Sequence, residues 1–191
     1  IERVDWDLGI LNMAACSVYV EEAFDQDGGN VDGGTGDIVC HANFRVDGGV
    51  HSATTGKIHM LDGGHRFIIG TTATFTHNNC TIHYNANDGD LEVLINNAAT
   101  TFYDVIVEMT STNGNNDDIN VTGSPMIITN DLTLTDGEIN SGEFEARGNV
   151  TATTNFDGGT GTLHLGGSAS QTINLNPGTF ELPTLRVNNA N

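Results

Sequence analysis

The chain has 191 residues, with 24 glycines, only 3 prolines and a hydrophobic fraction of 37%, below the about 45–50% usual for globular domains. Its formal net charge is −19, from 25 acidic residues against one lysine, Lys57, and five arginines. That balance argues against nucleic acid and an anionic membrane surface, because phosphates and anionic lipids call for Lys and Arg, and no apolar stretch long enough for membrane insertion is present; it fits a solvated acidic surface that works at moderate or high ionic strength.

No window of about 12 residues sustains a helical apolar period, whereas short alternating runs broken by Gly, Asn and Asp recur throughout. The chain is therefore read as all-β. Residues 1–24 give one or two strands, with 16–20 the clearest. DQDGGNVDGGTGD (25–37) reads as largely turn. Strands follow at 44–46, 58–60, 67–69, 81–84, 91–95 and 102–107, then the polar run STNGNNDD (111–118), expected to protrude. Further strands are expected at 127–135, turning at Asp136-Gly137, at 144–152 with a break at Gly148, and at 184–189. The total is roughly a dozen short strands.

The chain repeats itself. TGKIHMLDGGHRFIIGTTATF (55–75) aligns without a gap on TGTLHLGGSASQTINLNPGTF (160–180), with Thr55/Thr160, Gly56/Gly161, His59/His164, Ile68/Ile173, Thr74/Thr179 and Phe75/Phe180 identical. VDGGTGDI (31–38) echoes FDGGTGTL (156–163). A sandwich does not normally repeat a strand–turn–strand phrase, whereas a solenoid must, because each coil buries its face only against its neighbours. The expected fold is a single-domain parallel β-helix (β-solenoid), right-handed, of about 8–9 coils of roughly 20–24 residues. Ile58 and Met60, like Leu163 and Leu165, are expected inward with His59 and His164 outward; Ile68 is also placed inward. Gly and Asn are expected at the corners.

Three phrases, NDLTLTDGEINSG (130–142), GNVTATTNFDGGTGTLHLGGSASQTI (148–173) and TFELPTLRVNN (179–189), resemble a β-solenoid repeat of large bacterial surface proteins, adhesins and phage fibre (virion) proteins. The resemblance is strongest from Asn130 to Asn189. The segment 44–107 resembles a degraded copy, with Arg66 at the position of Gln171 and FYDVIVE (102–108) as the closing strand. The segment 1–30 matches only in texture. The resemblance implies an extracellular structural or adhesive segment of a cell surface or virion, with no catalytic residues to carry over. Self-association or a homo-oligomer is the expected partner, and a surface glycan or receptor another. The chain begins and ends mid-pattern, so a longer parent protein is expected.

Candidate chemistry is sparse. His59 and His83 are about one coil apart and can stack on an outer face, where two imidazoles suit Zn²⁺ or Ni²⁺; solvated strand-face histidines are the alternative. DGGTGD resembles half of a calcium-binding nonapeptide, but Ile38 and Leu163 stand where its Asp belongs. A looser Ca²⁺ site in Asp25, Asp27 and Asp32, or in Asp117 and Asp118, is the one cofactor considered. Glu143, Glu145 and Arg147, and likewise Asp104 and Glu108, read as solvated rows, so no catalytic, cofactor or metal residue is assigned and no enzyme is expected. A carbohydrate-binding or carbohydrate-cleaving β-helix is the alternative, and exposed aromatics among Trp6, Tyr19, Tyr84 and Tyr103 would favour binding. Cys80, in phase with Ile82, reads as a buried small apolar residue; a Cys16–Cys40 bridge is left open.

Overall fold

The computed structural model of the chain describes residues 1–111, 117–175 and 181–190. Among these residues are 23 strands and no helix. They stack as a three-faced parallel β-solenoid of about eight turns. Face A carries Arg3–Trp6, Ala23–Gln26, Asn43–Val46, Arg66–Ile69, Leu91–Ile95 and Asp118–Gly123, each hydrogen-bonded to the next. Face B starts with Ile10–Asn12, Asn30–Asp32, Val50–Ser52 and Thr74–Thr76. After a break it resumes with Thr101–Phe102, Met126–Ile128, Glu143–Ala146, Thr162–Leu165 and Thr184–Val187. Face C holds Val18–Val20, Ile38–Cys40, Lys57–Asp62, Thr81–Asn87 and Asp104–Glu108. Two long strands, Leu132–Ser141 and Val150–Gly158, begin on face C and bend onto face A through register shifts. Gly137, at φ +87°, supplies the backbone for the first bend.

Alternation along each strand fills the interior. Phe44 and Val46, or Leu91, Val93 and Ile95, are fully buried while their neighbours face out. Parallel register then stacks like on like. Phe24, Phe44 and Phe67 lie one above another, with ring centroids 4.9 and 5.1 Å apart and planes within 15° and 10°, a spacing at which offset stacking adds to area burial. Beside them His51 stacks on Phe75 at 5.5 Å, and Phe102 continues the aromatic interior at 5.6 Å from Phe75.

Corners set coil length. Gly9, Gly29 and Gly49 form a column with φ of +87°, +60° and +72°, and a Cβ on Gly49 would lie 2.1 Å from the carbonyl oxygen of Gly29. Asn does related work: at the B–C corner Asn78 donates to the carbonyl of Ala53 at 2.9 Å, and at the A–B corner Asn97 donates to that of Ala73 at 2.9 Å. Further along, Asp104 accepts from Asn130 at 2.8 Å and Asp131 from Asn149 at 3.0 Å. The C–A corner is where coils differ. The register partners Phe24, Phe44, Phe67, Val93 and Val121 grow steadily further apart in sequence, so each coil is longer than the one before it. From Ile119 to its partner Ile139 the coil is short again.

The fold corrects several expectations. Strands are about twice as many as the sequence suggests, because three-residue strands hide between glycine corners. The turn expected over 25–37 contains the end of Ala23–Gln26 and all of Asn30–Asp32, with Val31 buried. The run 102–107 breaks at Tyr103 into strands on two faces. Ile68 points outward between buried Phe67 and Ile69, whereas Leu163 is inward as expected. Of the run expected to protrude, 112–116 lie outside the described residues.

Candidate functional site

Four groupings of polar side chains stand out, and each follows from register. The first is internal. Gln26 Nε2 donates to the carbonyls of Gly28 (3.2 Å) and Val50 (3.1 Å), which leaves its Oε1 to accept from His51 Nδ1 at 2.8 Å. His51 Nε2 is then sealed in the core without a partner. Burial pushes the imidazole pKa down to about 3, so His51 is neutral. This pair is part of the interior and faces no groove.

The second lies on face C. His59 and His83 are register partners on adjacent strands, as their spacing predicts, with ring centroids 5.2 Å apart. His83 Nε2 lies 2.9 Å from Glu108 Oε2, which also accepts from Asn85 at 3.2 Å. Burial lowers the pKa of His83, with Glu108 opposing; burial and the neighbouring His83 lower that of His59. His83 Nδ1 is buried without a partner.

The third lies on face B and reads from the sequence only as a solvated row. Glu143 and Glu145 occupy alternate positions of one strand, His164 faces Glu145 on the next, and Arg186 faces His164 on the strand after. His164 is only 7% exposed although it points away from the core. Its Nδ1 lies 3.1 Å from Glu143 Oε1 and 3.8 Å from Glu145 Oε2. Arg186 Nη2 donates to Glu143 Oε1 and to His164 Nδ1, both at 2.7 Å. Arg147 holds Glu145 from the other side at 2.6 Å. The sequence signal is the spacing: 21 residues from Glu143 to His164 and 22 from His164 to Arg186, one coil each.

The fourth is the acidic C–A corner. Ligand oxygens of Asp117, Asp136 and Asp157 lie within 4.8 Å of one another. Burial, then like charges, raise the pKa of Asp117. Burial, followed by a hydrogen bond to Asp118, raises that of Glu138 to about 7. Asp118 is also bonded by Asn140 at 2.7 Å. A second acidic trio, Asp5, Asp7 and Asp27, is exposed. The residues expected to cooperate on calcium are distributed differently: Asp25 is buried against Arg3 at 2.7 Å, and Asp32 accepts from Gly34 N at another corner.

Elsewhere, Cys16 is exposed, Cys40 and Cys80 are buried, and all three are free thiols; burial pushes the buried pair up to about 12. Tyr84 is in the core, its hydroxyl 3.7 Å from Met126 Sδ, and Tyr103 stacks on His77 at 5.5 Å. The candidate aromatics therefore form no common outer patch. A groove on face A runs along Asn43, Arg45, Arg66, Ile68 and Leu94. Its two arginines are paired with Asp47 and Glu92.

The class these observations define is a parallel β-solenoid with a packed aromatic interior and ionic outer columns. No family model matches the chain, and no curated protein or solved structure is detectably similar to it.

Proposed function

We propose that the chain is a non-enzymatic, extracellular structural and adhesive β-solenoid segment, serving in a virion fibre or a bacterial surface filament, and that copies associate end to end. The observation that carries this reading is the location of the exposed apolar side chains. Among the described residues the large ones are Ile1, Leu8, Ile10 and Tyr19 on the first coil and Ile173, Leu185 and Val187 on the last; only Val50 lies between. The outermost described coils also present strand edges, and such edges add a further rung readily, whether from the same chain or from another copy. Strands run the same way at both ends, so the first coil of one copy can extend the ladders of the last coil of another. That contact is heterologous and open, which builds filaments. The charge of −19 keeps flanks from clumping, and the resemblance of residues 130–189 to surface and fibre repeats supports the extracellular setting.

The test is sedimentation velocity with negative-stain microscopy of the purified chain across a concentration series at moderate salt. Rods that lengthen with concentration are expected, and Leu185→Asp with Val187→Asp should hold the chain monomeric without changing its circular dichroism. Compact monomers at every concentration would count against the reading, and a glycan screen would then decide for the carbohydrate-binding alternative.

A further inference from the structure

We propose that Glu143, Glu145 and His164 form a binding site for a late first-row divalent cation, represented by Zn²⁺, and that Arg186 holds the cation's place when it is not there. The argument starts from the tautomer. An arginine can only donate, so the 2.7 Å contact from Arg186 Nη2 makes His164 Nδ1 an acceptor. The ring proton is then on Nε2, which is buried without a partner. His164 is thus fixed with its lone pair aimed outward, at the spot where Glu143 Oε1 also presents one. Two acceptors 3.1 Å apart repel unless something positive sits between them, and Arg186 bonds to both.

The spacing also fits a metal. Zn²⁺ binds nitrogen and carboxylate oxygen at about 2.0–2.2 Å, which makes the edge of a tetrahedron of ligands about 3.4 Å. The observed distances from His164 Nδ1 to Glu143 Oε1 and Glu145 Oε2, 3.1 and 3.8 Å, bracket that edge. All three ligand atoms lie within 4.8 Å of one another. An imidazole nitrogen with two carboxylates favours Zn²⁺ and its neighbours over Ca²⁺, which prefers an all-oxygen shell. Three protein ligands leave a fourth position open, as in non-structural zinc sites.

The site is also held in place. Arg147 braces Glu145 at 2.6 Å. Glu143, Glu145 and His164 ride on two hydrogen-bonded strands, Glu143–Ala146 and Thr162–Leu165. Arg186 comes from the edge strand Thr184–Val187 and is about half exposed, so it can swing away without opening the core. The bound ion then ties two rungs together and frees the outermost one.

The test is titration of the full chain with ZnCl₂ and CoCl₂ near neutral pH, read by calorimetry, by the visible absorption of Co²⁺ and by ¹⁵N NMR of the histidine rings. One saturable equivalent is expected, with the His164 Nδ1 resonance shifting. His164→Gln and Glu143→Gln should each weaken binding by more than the about 10–100-fold that loss of an outer-shell group costs. Arg186→Gln should tighten it. Binding unchanged in His164→Gln, or no saturable binding in either the wild type or Arg186→Gln, would overturn the proposal. If His164→Gln fails to fold, the wild-type NMR spectrum decides: a shift confined to other histidines, His59 and His83 included, overturns it. A chain that saturates with CaCl₂ but ignores ZnCl₂ overturns it as well.

Discussion

The two similar phrases of the sequence, 55–75 and 160–180, fold onto different faces. In the first, the strand with His59 is on face C, the next on face A and the last on face B. In the second, the strand with His164 is on face B and Ile173–Leu175 on face C. The copies are offset by four and two-thirds turns. Local alternation is kept all the same: Ile58, Met60, Leu163 and Leu165 are buried in both copies, with the histidine between them facing out. The likeness therefore encodes a strand with its inside and outside, while the corners choose its face. Surroundings differ accordingly. The first copy sits among coils with an aromatic interior, the second beside the acidic cluster, while glycines of positive φ turn corners around both.

The sharpest way to break the comparison is to place the same charge at Leu163 and at Ile68. Leu163 is 1% exposed in the core, and an aspartate there buries a charge without a partner. A loss on the order of 4 kcal/mol is expected, enough to lower Tm by roughly 10 °C in a chain this size. Ile68 faces out, beside Arg45 and Leu94 in register, so Ile68→Asp should cost within about 1 kcal/mol. Equal losses in thermal melts would mean that the inside and the outside are wrongly assigned.

The same contrast shows what could be read from residues alone. Alternation of Ile58-His59-Met60 is legible because three side chains declare a period of two. Asn30–Asp32 is not, because a three-residue strand between glycine pairs turns only Val31 inward and so shows no period. Ile68 is misplaced from sequence for a related reason: in a run of three apolar residues, Phe67-Ile68-Ile69, composition does not say which one faces out, and only register does. The stacking of His59 on His83 is legible because their spacing equals the coil at that point. The grouping of Glu143, His164 and Arg186 has the same one-coil spacing but joins three segments of dissimilar sequence. Coil length itself changes from one turn to the next along the stack, so no single period reveals such partners.

Acid should separate the two surroundings. His51, on the strand Val50–Ser52 just before the first copy, has a pKa of about 3 when folded against 6.5 unfolded. Between those values the unfolded chain binds a proton that the native chain does not, so stability falls as pH falls, by up to about 1.4 kcal/mol per pH unit. Half-buried His59 and His77 and buried His83 add to this in the same sense. His51→Phe would leave Gln26 Oε1 unpaired and cost about 1–3 kcal/mol at pH 8. It should nevertheless make the acid slope shallower by about one proton. Urea unfolding at a series of pH values from 8 to 4 measures both quantities, and an unchanged slope would remove His51 as its source.

The acidic corner next to the second copy should respond in the opposite direction, with a smaller effect. Glu138 has a folded pKa of about 7, from burial and its hydrogen bond to Asp118, against 4.5 unfolded. Between these values the native chain holds a proton that the unfolded chain has released, so this group's contribution to stability increases as pH falls from 7 to 4.5. Asp117 and Asp136 are raised in the same sense. Glu138→Gln keeps a donor for Asp118 at every pH and removes the charge that the corner must otherwise accommodate. Its Tm should exceed that of the wild type at pH 8, and the difference should shrink to nothing near pH 4.5, where the native carboxyl is already protonated. A difference independent of pH would show that the substitution acts through packing rather than charge. A lower Tm at pH 8 would show that ionised Glu138 is paired with a cation at this corner.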